Sequence, residues 1–361
     1  MLGYALDPFL RLVYGSNMIE SAGNSFDITR KLCAPVFQGQ GFLVSADIDK
    51  GAVDYAEHVR HLRSTNRPTG HSEVVQSRRE IIQHAQALLY TILQVVQCRQ
   101  PWSEGFILTA HRILHAGLDD HVELGAYRTH EVAVKYEKAG QKTKAHLCMR
   151  ARAVSGYMKD LVEHPNHDAA AHDETRDPPT LAARYHHQFV NIHPFGDGNG
   201  RMSRIIVNLL LLRHAGPPCV SVFGVEEEER DAYIAIATRA ARVSHAEDTE
   251  VFFDDHTGHL ELAGFIKGCA VEEGKGGSGG NLSWHSWSRS LTCELHYADN
   301  WNDTSCTLIH TLSSGRVRAT YYSWQAQPRP VPLSVPGCAR LPRWLPLFFP
   351  NCTLDSMLGP A

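Results

Sequence analysis

Residues 193–204 read His193-Pro194-Phe195-Gly196-Asp197-Gly198-Asn199-Gly200-Arg201-Met202-Ser203-Arg204. The imidazole at the entrance of this stretch can take a proton from a hydroxyl group near neutral pH. The glycines that follow permit backbone turns with positive φ, which point successive N–H groups at an anion. An apolar stretch typical of a helix comes next, and the N-terminus of that helix would face a bound phosphate. The stretch therefore predicts a phosphate-binding loop with a candidate catalytic base, His193, beside it.

The charged residues of the loop strengthen this interpretation. Asp197 offers a single carboxylate, which suits an Mg²⁺ ion that takes its other ligands from phosphate and water. Arg201 and Arg204 lie three residues apart on the first turn of the expected helix, so both can reach the same phosphates. A plain glycine-rich turn before a core helix would explain the glycines and Phe195. It would not explain a histidine, an aspartate and two arginines in the same stretch.

The segment from His193 to Arg201 resembles the HPFxDGNGR signature of Fic (Fido) domains, and Arg204 fits the extended form of that signature. Every fixed position matches, and Gly196 occupies the free one. The resemblance covers roughly residues 70–268, with an additional helix around Ser16–Glu20. It implies a mainly α fold, a Fic-type helical bundle with a β-hairpin flap over the active site.

The resemblance also implies a function: a nucleotidyltransferase that moves AMP from ATP to a Ser, Thr or Tyr hydroxyl of a target protein (AMPylation). His193 would be the catalytic base and Asp197 the Mg²⁺ ligand. Tyr233 aligns with a tyrosine that lies near the adenine in related proteins. The implied phosphate-binding residues are Gly198, Asn199, Gly200, Arg201 and Arg204. A hydrolase that removes AMP with the same site, a non-catalytic nucleotide-binding interaction module, and transfer of another phosphate-linked group are the alternatives.

A second motif lies near the start of the chain, within a helix expected around residues 8–24. Ser16-Asn17-Met18-Ile19-Glu20 resembles the (S/T)xxxE(G/N) inhibitory motif of Fic proteins that carry their own brake, although Ser21 stands where the family prefers glycine or asparagine. Ser16 and Glu20 are four residues apart and so share one helix face. We expect Glu20 to pair with Arg201 and to occupy the space of the γ-phosphate. The alternative is an ordinary surface glutamate.

Hydrophobic periodicity predicts several further helices. They cover residues 72–98, 106–117, 154–162 and 178–192, and a segment beginning near Arg230, and residues 164–178 read as a polar loop. The helix that follows the motif, with Arg201 in its first turn and His214 in its last, has one apolar face, formed by Ile205, Ile206, Leu209, Leu210 and Leu212. Asp177 followed by Pro178 is a helix start signal. His111 and His115 have a metal-binding spacing, but no third ligand lies nearby in sequence, so we expect them to be packed side chains.

Residues 131–134 alternate in the manner of a strand, and Lys138–Lys144 resemble the polar turn of a hairpin. This segment resembles the Fic flap, whose edge, here Val132, Ala133 and Val134, pairs with the main chain of the target. Strand addition uses backbone groups, so it tolerates varied side chains. The alternative is a plain surface hairpin.

Composition limits the classes of protein that the chain can belong to. Among 361 residues the formal net charge is −4, which argues against a non-specific nucleic-acid binder. The nine cysteines are scattered without CxxC spacing, which favours reduced thiols. A signal peptide and a membrane-spanning apolar run are not evident, so we expect a cytoplasmic or nuclear protein without membrane partners. ATP and a target protein are the expected partners, and a homo-oligomer is compatible with the sequence.

The predicted domain organisation has three parts. Residues 1–69 form an N-terminal segment with the inhibitory helix, and residues 70–268 form the Fic/Fido domain with a core at 104–256. Residues 269–361 comprise a glycine-rich linker, with GKGGSGG at 274–280, and a tail that we expect to be poorly ordered.

Overall fold

The structure, a computed structural model, describes residues 3–97, 102–118, 122–136, 144–170, 177–214, 226–246, 258–276, 293–296, 305–311 and 317–323. The helices are α1 (Gly3–Ile19), α2 (Phe26–Pro35), α3 (Tyr55–Ser64), α4 (His71–Thr91), α5 (Glu104–His115), α6 (Val154–Ala170), α7 (Pro178–Ile192), α8 (Asn199–His214), α9 (Glu227–Ala246) and α10 (Leu260–Gly276). Short π- or 3₁₀-helical turns occupy Val36–Gln40, Gly41–Leu43, Ile92–Gln97 and Ala151–Ala153. The prediction of a mainly α fold is confirmed.

The core of the fold is built on α7 and α8. Asp177 caps α7 as predicted, because its side chain accepts a hydrogen bond from the Thr180 N–H at 3.1 Å. We expected one apolar face on α8, but its residues from Arg201 to Leu212 are buried around the whole helix. Helices α7, α4 and α1 all contact α8, α10 packs on α7, and α5 packs on α4. The loop between α7 and α8 therefore starts and ends in the most deeply buried part of the fold.

The N-terminal helix differs from its predicted limits. It begins at Gly3, includes Pro8, and ends at Ile19, short of the predicted residue 24. Pro8, the sixth residue of this helix, has no N–H and so removes one hydrogen bond from the helix. Ser21 and Gly23 then adopt left-handed conformations, with φ of 53° and 70°, and turn the chain toward α2.

Two other predicted limits need correction. The helix predicted at residues 72–98 is α4 followed by a π-helical turn at Ile92–Gln97, and residue 98 lies outside the described residues. Helix α6 continues to Ala170 through part of the predicted polar loop, where Ala169 and Ala170 have the highest helix propensity of any residue type.

Two four-residue strands form an antiparallel hairpin in the predicted region, but with other limits: the first strand begins at Ala133, not at residue 131, and Lys144, placed in the predicted turn, begins the second. Strands β1 (Ala133–Tyr136) and β2 (Lys144–Leu147) pair antiparallel, with Ala133 opposite Leu147 and Tyr136 opposite Lys144. Their connection, residues 137–143, lies outside the described residues. Coverage of the active site by this hairpin, as a flap, stays a prediction.

The chain divides into two compact units, Met1–Asn281 and Leu282–Ala361. In the second unit, β3 (Cys293–His296), β4 (Ser305–Thr311) and β5 (Val317–Ser323) form an antiparallel sheet in the order β3-β4-β5. The sequence of this unit shows no clear alternation, so these strands were not predicted. In the first unit, α10 runs to Gly276, past the residue 269 at which we placed the linker. The predicted domain limits otherwise stay a prediction.

Among the helices that the structure describes, none has the length and apolar character needed to cross a membrane.

Candidate active site

His193 occupies the C-cap of α7 in a left-handed conformation, with φ of 51° and ψ of 61°. The Val190 carbonyl oxygen lies 3.2 Å from Nδ1, and because a carbonyl only accepts, Nδ1 carries the ring proton. Nε2 therefore holds a lone pair. Burial lowers the pKa of His193 below its usual 6.5, with a smaller contribution from the charge of Arg128. At neutral pH this imidazole is a neutral base.

The loop after His193 is closed on itself by Asn199. The Asn199 Oδ1 accepts a hydrogen bond from the Phe195 N–H at 3.0 Å, and its Nδ2 donates to the Phe195 carbonyl oxygen at 2.9 Å. The side chain is thus used within the loop, which leaves only the Asn199 main chain for a ligand. Phe195 is fully buried, so the ring anchors the loop in the core.

Arg128 is a residue of the site that sequence reasoning missed. It is 3% exposed, and its guanidinium donates to the carbonyl oxygens of His193 at 2.7 Å, His130 at 2.8 Å and Met149 at 2.5 Å. His130 and Met149 flank the two strands of the hairpin, so one side chain joins the base of the hairpin to the candidate catalytic residue. The sequence offered one signal for Arg128: this arginine stands shortly before the segment of β-branched residues predicted as a strand. A charged residue at such a position is ordinarily expected on the surface.

The N-terminus of α8 collects positive charge. The first N–H groups of a helix have no acceptor within the helix, and here they belong to Asn199, Gly200 and Arg201. The Arg201 side chain is 6% exposed; its Nη2 contacts the Asp197 Oδ2 at 3.3 Å, and its buried Nε has no hydrogen-bond partner among the described residues. A buried, incompletely satisfied guanidinium at a helix N-terminus is a site for an anion.

Arg204, and not Arg201, holds the N-terminal motif, which corrects the predicted Glu20–Arg201 pair. Arg204 donates from Nη2 to the Glu20 Oε1 at 2.5 Å and from Nε to the Ser16 Oγ at 2.7 Å. Arg204 lies about one turn further along α8 than Arg201 and faces α1. Arg201 is in the first turn of α8 and lies over the loop. Ser16 and Glu20 do share one face, as their spacing predicted.

The Glu20 carboxylate lies against the first turn of α8. A Cβ atom added at Gly200 would collide with the Glu20 Oε1 and come within 3.2 Å of the Arg204 Nη1. Glycine is therefore required at position 200 for the carboxylate to approach the helix backbone. The side chain of Glu20 keeps 34% exposure, so solvent reaches this part of the site.

The end of α1 is fixed to α4 by buried polar contacts. The Glu80 Oε2 accepts from the Gly23 N–H at 2.6 Å and from the Arg67 Nη2 at 3.1 Å, and the Arg67 Nη1 donates to the Gly23 carbonyl oxygen at 2.6 Å. The His84 Nδ1 lies 2.9 Å from the Asn17 Oδ1. These contacts determine where Glu20 sits.

Asp197 is the most exposed charged group of the loop, with 60% of its side chain accessible. Its Oδ1 accepts from the Gly198 N–H at 2.6 Å, and its Oδ2 faces Arg201. Gly198 has a φ of 78°, a conformation that glycine adopts without strain. No group of three or more metal-binding side chains occurs in the described part of the chain, so a cation here would depend on Asp197 together with ligand oxygens.

Tyr233, on α9, is 4% exposed and lies behind the arginines. Its hydroxyl is 2.7 Å from the His186 Nε2, and the Arg204 guanidinium carbon lies 5.8 Å from the centre of its ring. Burial lowers the pKa of His186 to about 3, so this pair is neutral. The predicted contact of Tyr233 with adenine stays a prediction.

The three predicted flap residues lie at the start of the hairpin. The Val132 carbonyl oxygen accepts from the Cys148 N–H at 2.9 Å, and Ala133 begins β1 with its side chain exposed. Val134 continues β1. The structure therefore places Ala133 and Val134 on β1 and Val132 directly before it, in a hairpin that Arg128 joins to His193, whereas the role of these residues toward a target stays a prediction.

Comparison with known proteins points to one family. Residues 101–211 match the family model described as the Fic/DOC family. Protein adenylyltransferase fic-1 of Caenorhabditis elegans is 36% identical over 114 residues, which are 32% of this chain and 20% of that protein. Protein adenylyltransferase Fic of Drosophila melanogaster is 42% identical over 62 residues, 17% of this chain and 12% of that protein. The matched regions thus span a fifth or less of the length of these curated relatives.

The fold is also similar to a solved structure. A Fic domain containing signaling protein from Bacteroides thetaiotaomicron superposes with a TM-score of 0.55 and 19% identity, covering 75% of this chain and 86% of that one. This likeness concerns the fold and leaves the reaction to be argued from the site.

Proposed function

We propose that the Fic/DOC family domain at residues 101–211 makes this chain a protein adenylyltransferase, which transfers AMP from ATP to a Ser, Thr or Tyr hydroxyl of a target protein. The relatives named above carry the name protein adenylyltransferase. The observation that carries the proposal is local: a neutral histidine with a free Nε2 directly precedes a helix N-terminus that holds two buried arginines.

His193 supplies the base. The target hydroxyl oxygen forms a bond to the α-phosphorus of ATP while the bond from that phosphorus to the departing pyrophosphate breaks. The hydroxyl proton passes to the His193 Nε2, since Nδ1 is already committed to the Val190 carbonyl. General-base assistance of this kind is worth about 10²–10⁴-fold in rate. Release of the proton to solvent restores the neutral imidazole.

The N-terminus of α8 binds the phosphates. Its free N–H groups and the unpartnered Nε of Arg201 offer donors that a buried site leaves unsatisfied in the absence of an anion. Positioning and charge neutralisation are most of what phosphate transfer requires from a protein. A charge-assisted hydrogen bond contributes about 1.5–3 kcal/mol, so each such donor raises the affinity for a phosphate by roughly tenfold or more.

The residues present fit a magnesium ion. Asp197 provides a hard carboxylate oxygen that is largely accessible, and no cluster of three or more His, Cys, Asp or Glu side chains among the described residues competes for the ion. Mg²⁺ commonly binds through one or two carboxylates plus phosphate oxygens, and it would neutralise the charge of the triphosphate when bound. Asp197 would hold it, and the Gly198 N–H would keep the carboxylate in orientation.

We further propose that Ser16 and Glu20 inhibit the enzyme. Both side chains bind Arg204, and the Glu20 carboxylate lies beside Gly200 at the N-terminus of α8, where a phosphate would bind. Two negative groups cannot share this position without strong repulsion. A triphosphate would therefore bind displaced, and a displacement of about 1 Å can cost on the order of 100-fold in rate.

The hairpin is proposed to bind the target. Ala133 and Val134 lie on β1 and Val132 directly precedes it, and Arg128 joins the base of this hairpin to the His193 carbonyl, so an added strand would be placed relative to His193. Backbone pairing gives affinity without a strict sequence requirement.

Incubation with ATP labelled at the α-phosphate tests the reaction. We expect label on protein from the Glu20→Gly variant, and none from Glu20→Gly combined with His193→Ala. ATP labelled at the γ-phosphate is the control, because AMP transfer releases that label with pyrophosphate. Label from the γ position, or label that is independent of His193, would contradict the proposal. Loss of AMP from a previously modified target would instead favour the hydrolase.

A further inference from the structure

Two imidazoles of α5 face the phosphate-binding loop and are not used by the proposed reaction. His111 and His115 are 0% and 1% exposed, and their rings stack with centroids 4.8 Å apart at an interplanar angle of 27°. With only one helical turn between them and no third metal-binding group around them in the described residues, they do not form a metal site.

His111 is fixed on both sides. Its Nδ1 accepts from the Gly125 N–H at 3.2 Å, so its Nε2 carries the proton and donates to the Asp197 carbonyl oxygen at 3.1 Å. Its ring also lies flat on Phe195, with centroids 3.7 Å apart and an angle of 7°. His111 therefore holds the loop at two points and provides a rigid surface for His115.

Among the described residues, the His115 ring makes one hydrogen bond, and that bond goes to Arg201. The Arg201 Nη2 lies 3.2 Å from the His115 Nε2; an arginine only donates, so Nε2 accepts and the proton is on Nδ1, which has no partner among the described residues. Burial, reinforced by the charge of Arg201, lowers the pKa of His115 to about 2. The ring also lies against Gly198, where an added Cβ would collide with Nε2.

We propose that His115 is a positioning residue for Arg201 in the proposed reaction. The His115 Nε2 and the Asp197 Oδ2 together bind both hydrogens of the Arg201 Nη2. This fixes the guanidinium so that its Nε–H, which has no protein partner among the described residues, is available to a phosphate. The inference rests on the proposed function, since it assigns Arg201 to the phosphates of ATP.

A matched set of variants in the Glu20→Gly background tests this role. His115→Gln keeps an acceptor at the distance of Nε2, while His115→Phe and the smaller His115→Leu fill the space without one. His58→Phe is the control, because His58 is also fully buried and accepts from an arginine, the Arg78 Nη1 at 2.9 Å, but lies on α3 outside the site. The dissociation constants of ATP and of adenosine are measured by calorimetry for each variant.

We expect His115→Phe and His115→Leu to weaken ATP binding about tenfold, the size of one charge-assisted hydrogen bond, and to leave adenosine binding unchanged. His115→Gln and His58→Phe should bind ATP like the parent. Equal ATP affinity in His115→Phe and the parent, an equal loss in His115→Gln, or an equal loss in His58→Phe would overturn the positioning role. Failure of the parent to bind ATP would overturn the proposed function, and the inference with it.

A second measurement needs no substitution at His115. The ¹⁵N chemical shifts of the His115 ring in the otherwise intact protein distinguish the two neutral tautomers. The proposal requires the proton on Nδ1, with Nε2 as the acceptor. A proton on Nε2 would exclude the hydrogen bond from Arg201 and overturn the proposal even if the phenylalanine and leucine variants failed to fold.

Discussion

At the scale of single residues, the site separates two arginines that the sequence presents as equivalent. Arg201 and Arg204 are three positions apart on α8, yet one faces the loop and Asp197 and the other faces α1. We predicted that Glu20 would bind Arg201. The spacing of the residues alone does not state which of the two arginines faces α1. In the structure Glu20 contacts Arg204, which also binds Ser16 of α1.

The ionisation of His193 is a prediction at this scale. Burial lowers its pKa, so the neutral form, which is the base, persists as the pH falls through 6.5, and protonation occurs only below that value. An NMR titration of the histidine rings, with the His193 signals assigned by their loss in His193→Ala, measures the midpoint. A midpoint above 6.5 would contradict the lowered pKa.

Asp197 gives a second residue-scale prediction. Asp197→Asn removes the charge but keeps the shape, so it should weaken Mg²⁺-dependent ATP binding, and EDTA should have the same effect on the unaltered protein. In the asparagine variant, EDTA should have little further effect. Calorimetric titration of ATP with and without Mg²⁺ measures this. ATP binding that is unchanged by both EDTA and Asp197→Asn would remove the cation from the proposed site.

At the scale of helices and strands, the sequence could predict features that are determined by neighbouring residues. It could not predict those determined by residues far away in the chain. The start of α7 follows from Asp177 and Pro178, and its cap was predicted correctly because capping needs only neighbouring residues. The position of α1 depends on Glu80 and Arg67, which lie far from it in sequence, so its contacts could not be predicted. The same holds for Arg128, whose partners are main-chain carbonyls with no sequence signature.

Ser21 carries a prediction about α1. It ends this helix with φ of 53°, a left-handed conformation that costs an L-residue about 1 kcal/mol and costs glycine almost nothing. Ser21→Gly should therefore raise the free energy of unfolding by up to about 1 kcal/mol, as measured by urea denaturation. Ser25→Gly serves as the control, since Ser25 caps α2 by accepting from the Ile28 N–H and should lose stability. A Ser21→Gly protein less stable than the parent would contradict the role of this turn.

At the scale of the whole molecule, the chain combines a helical unit that contains the entire candidate site with a second unit of different character. Every residue of the site lies within Met1–Asn281, and the three-stranded sheet lies within Leu282–Ala361. The fold class was implied by the resemblance to Fic domains, whereas the sheet could not be predicted, because its strands lack a regular alternation of polar and apolar residues. The helical unit ends with α10, which belongs to the core: Leu262 and Ile266 are buried, and Lys267 pairs with Asp177 at 2.9 Å.

Truncation tests this division. A protein ending at Asn281 should keep the melting temperature and the ATP affinity of the full chain, because the unit that contains the proposed ATP site is retained. A protein ending at Ala246 lacks α10 and should be strongly destabilised, since burial of each large apolar side chain of α10 is worth about 1.5–3 kcal/mol. Loss of folding in the longer truncation would show that the helical unit depends on residues 282–361.

The central claim is that Glu20 occupies the phosphate position of an adenylyltransferase site, and its most direct test is the rate of self-labelling from α-labelled ATP in Glu20→Gly. We predict a rise on the order of 100-fold over the unaltered protein, because Arg204 and the N-terminus of α8 become free to align the triphosphate. Asp7→Gly, which removes a carboxylate of the same helix that pairs with Arg11, should label like the unaltered protein. Equal labelling of Glu20→Gly and Asp7→Gly would contradict the claim.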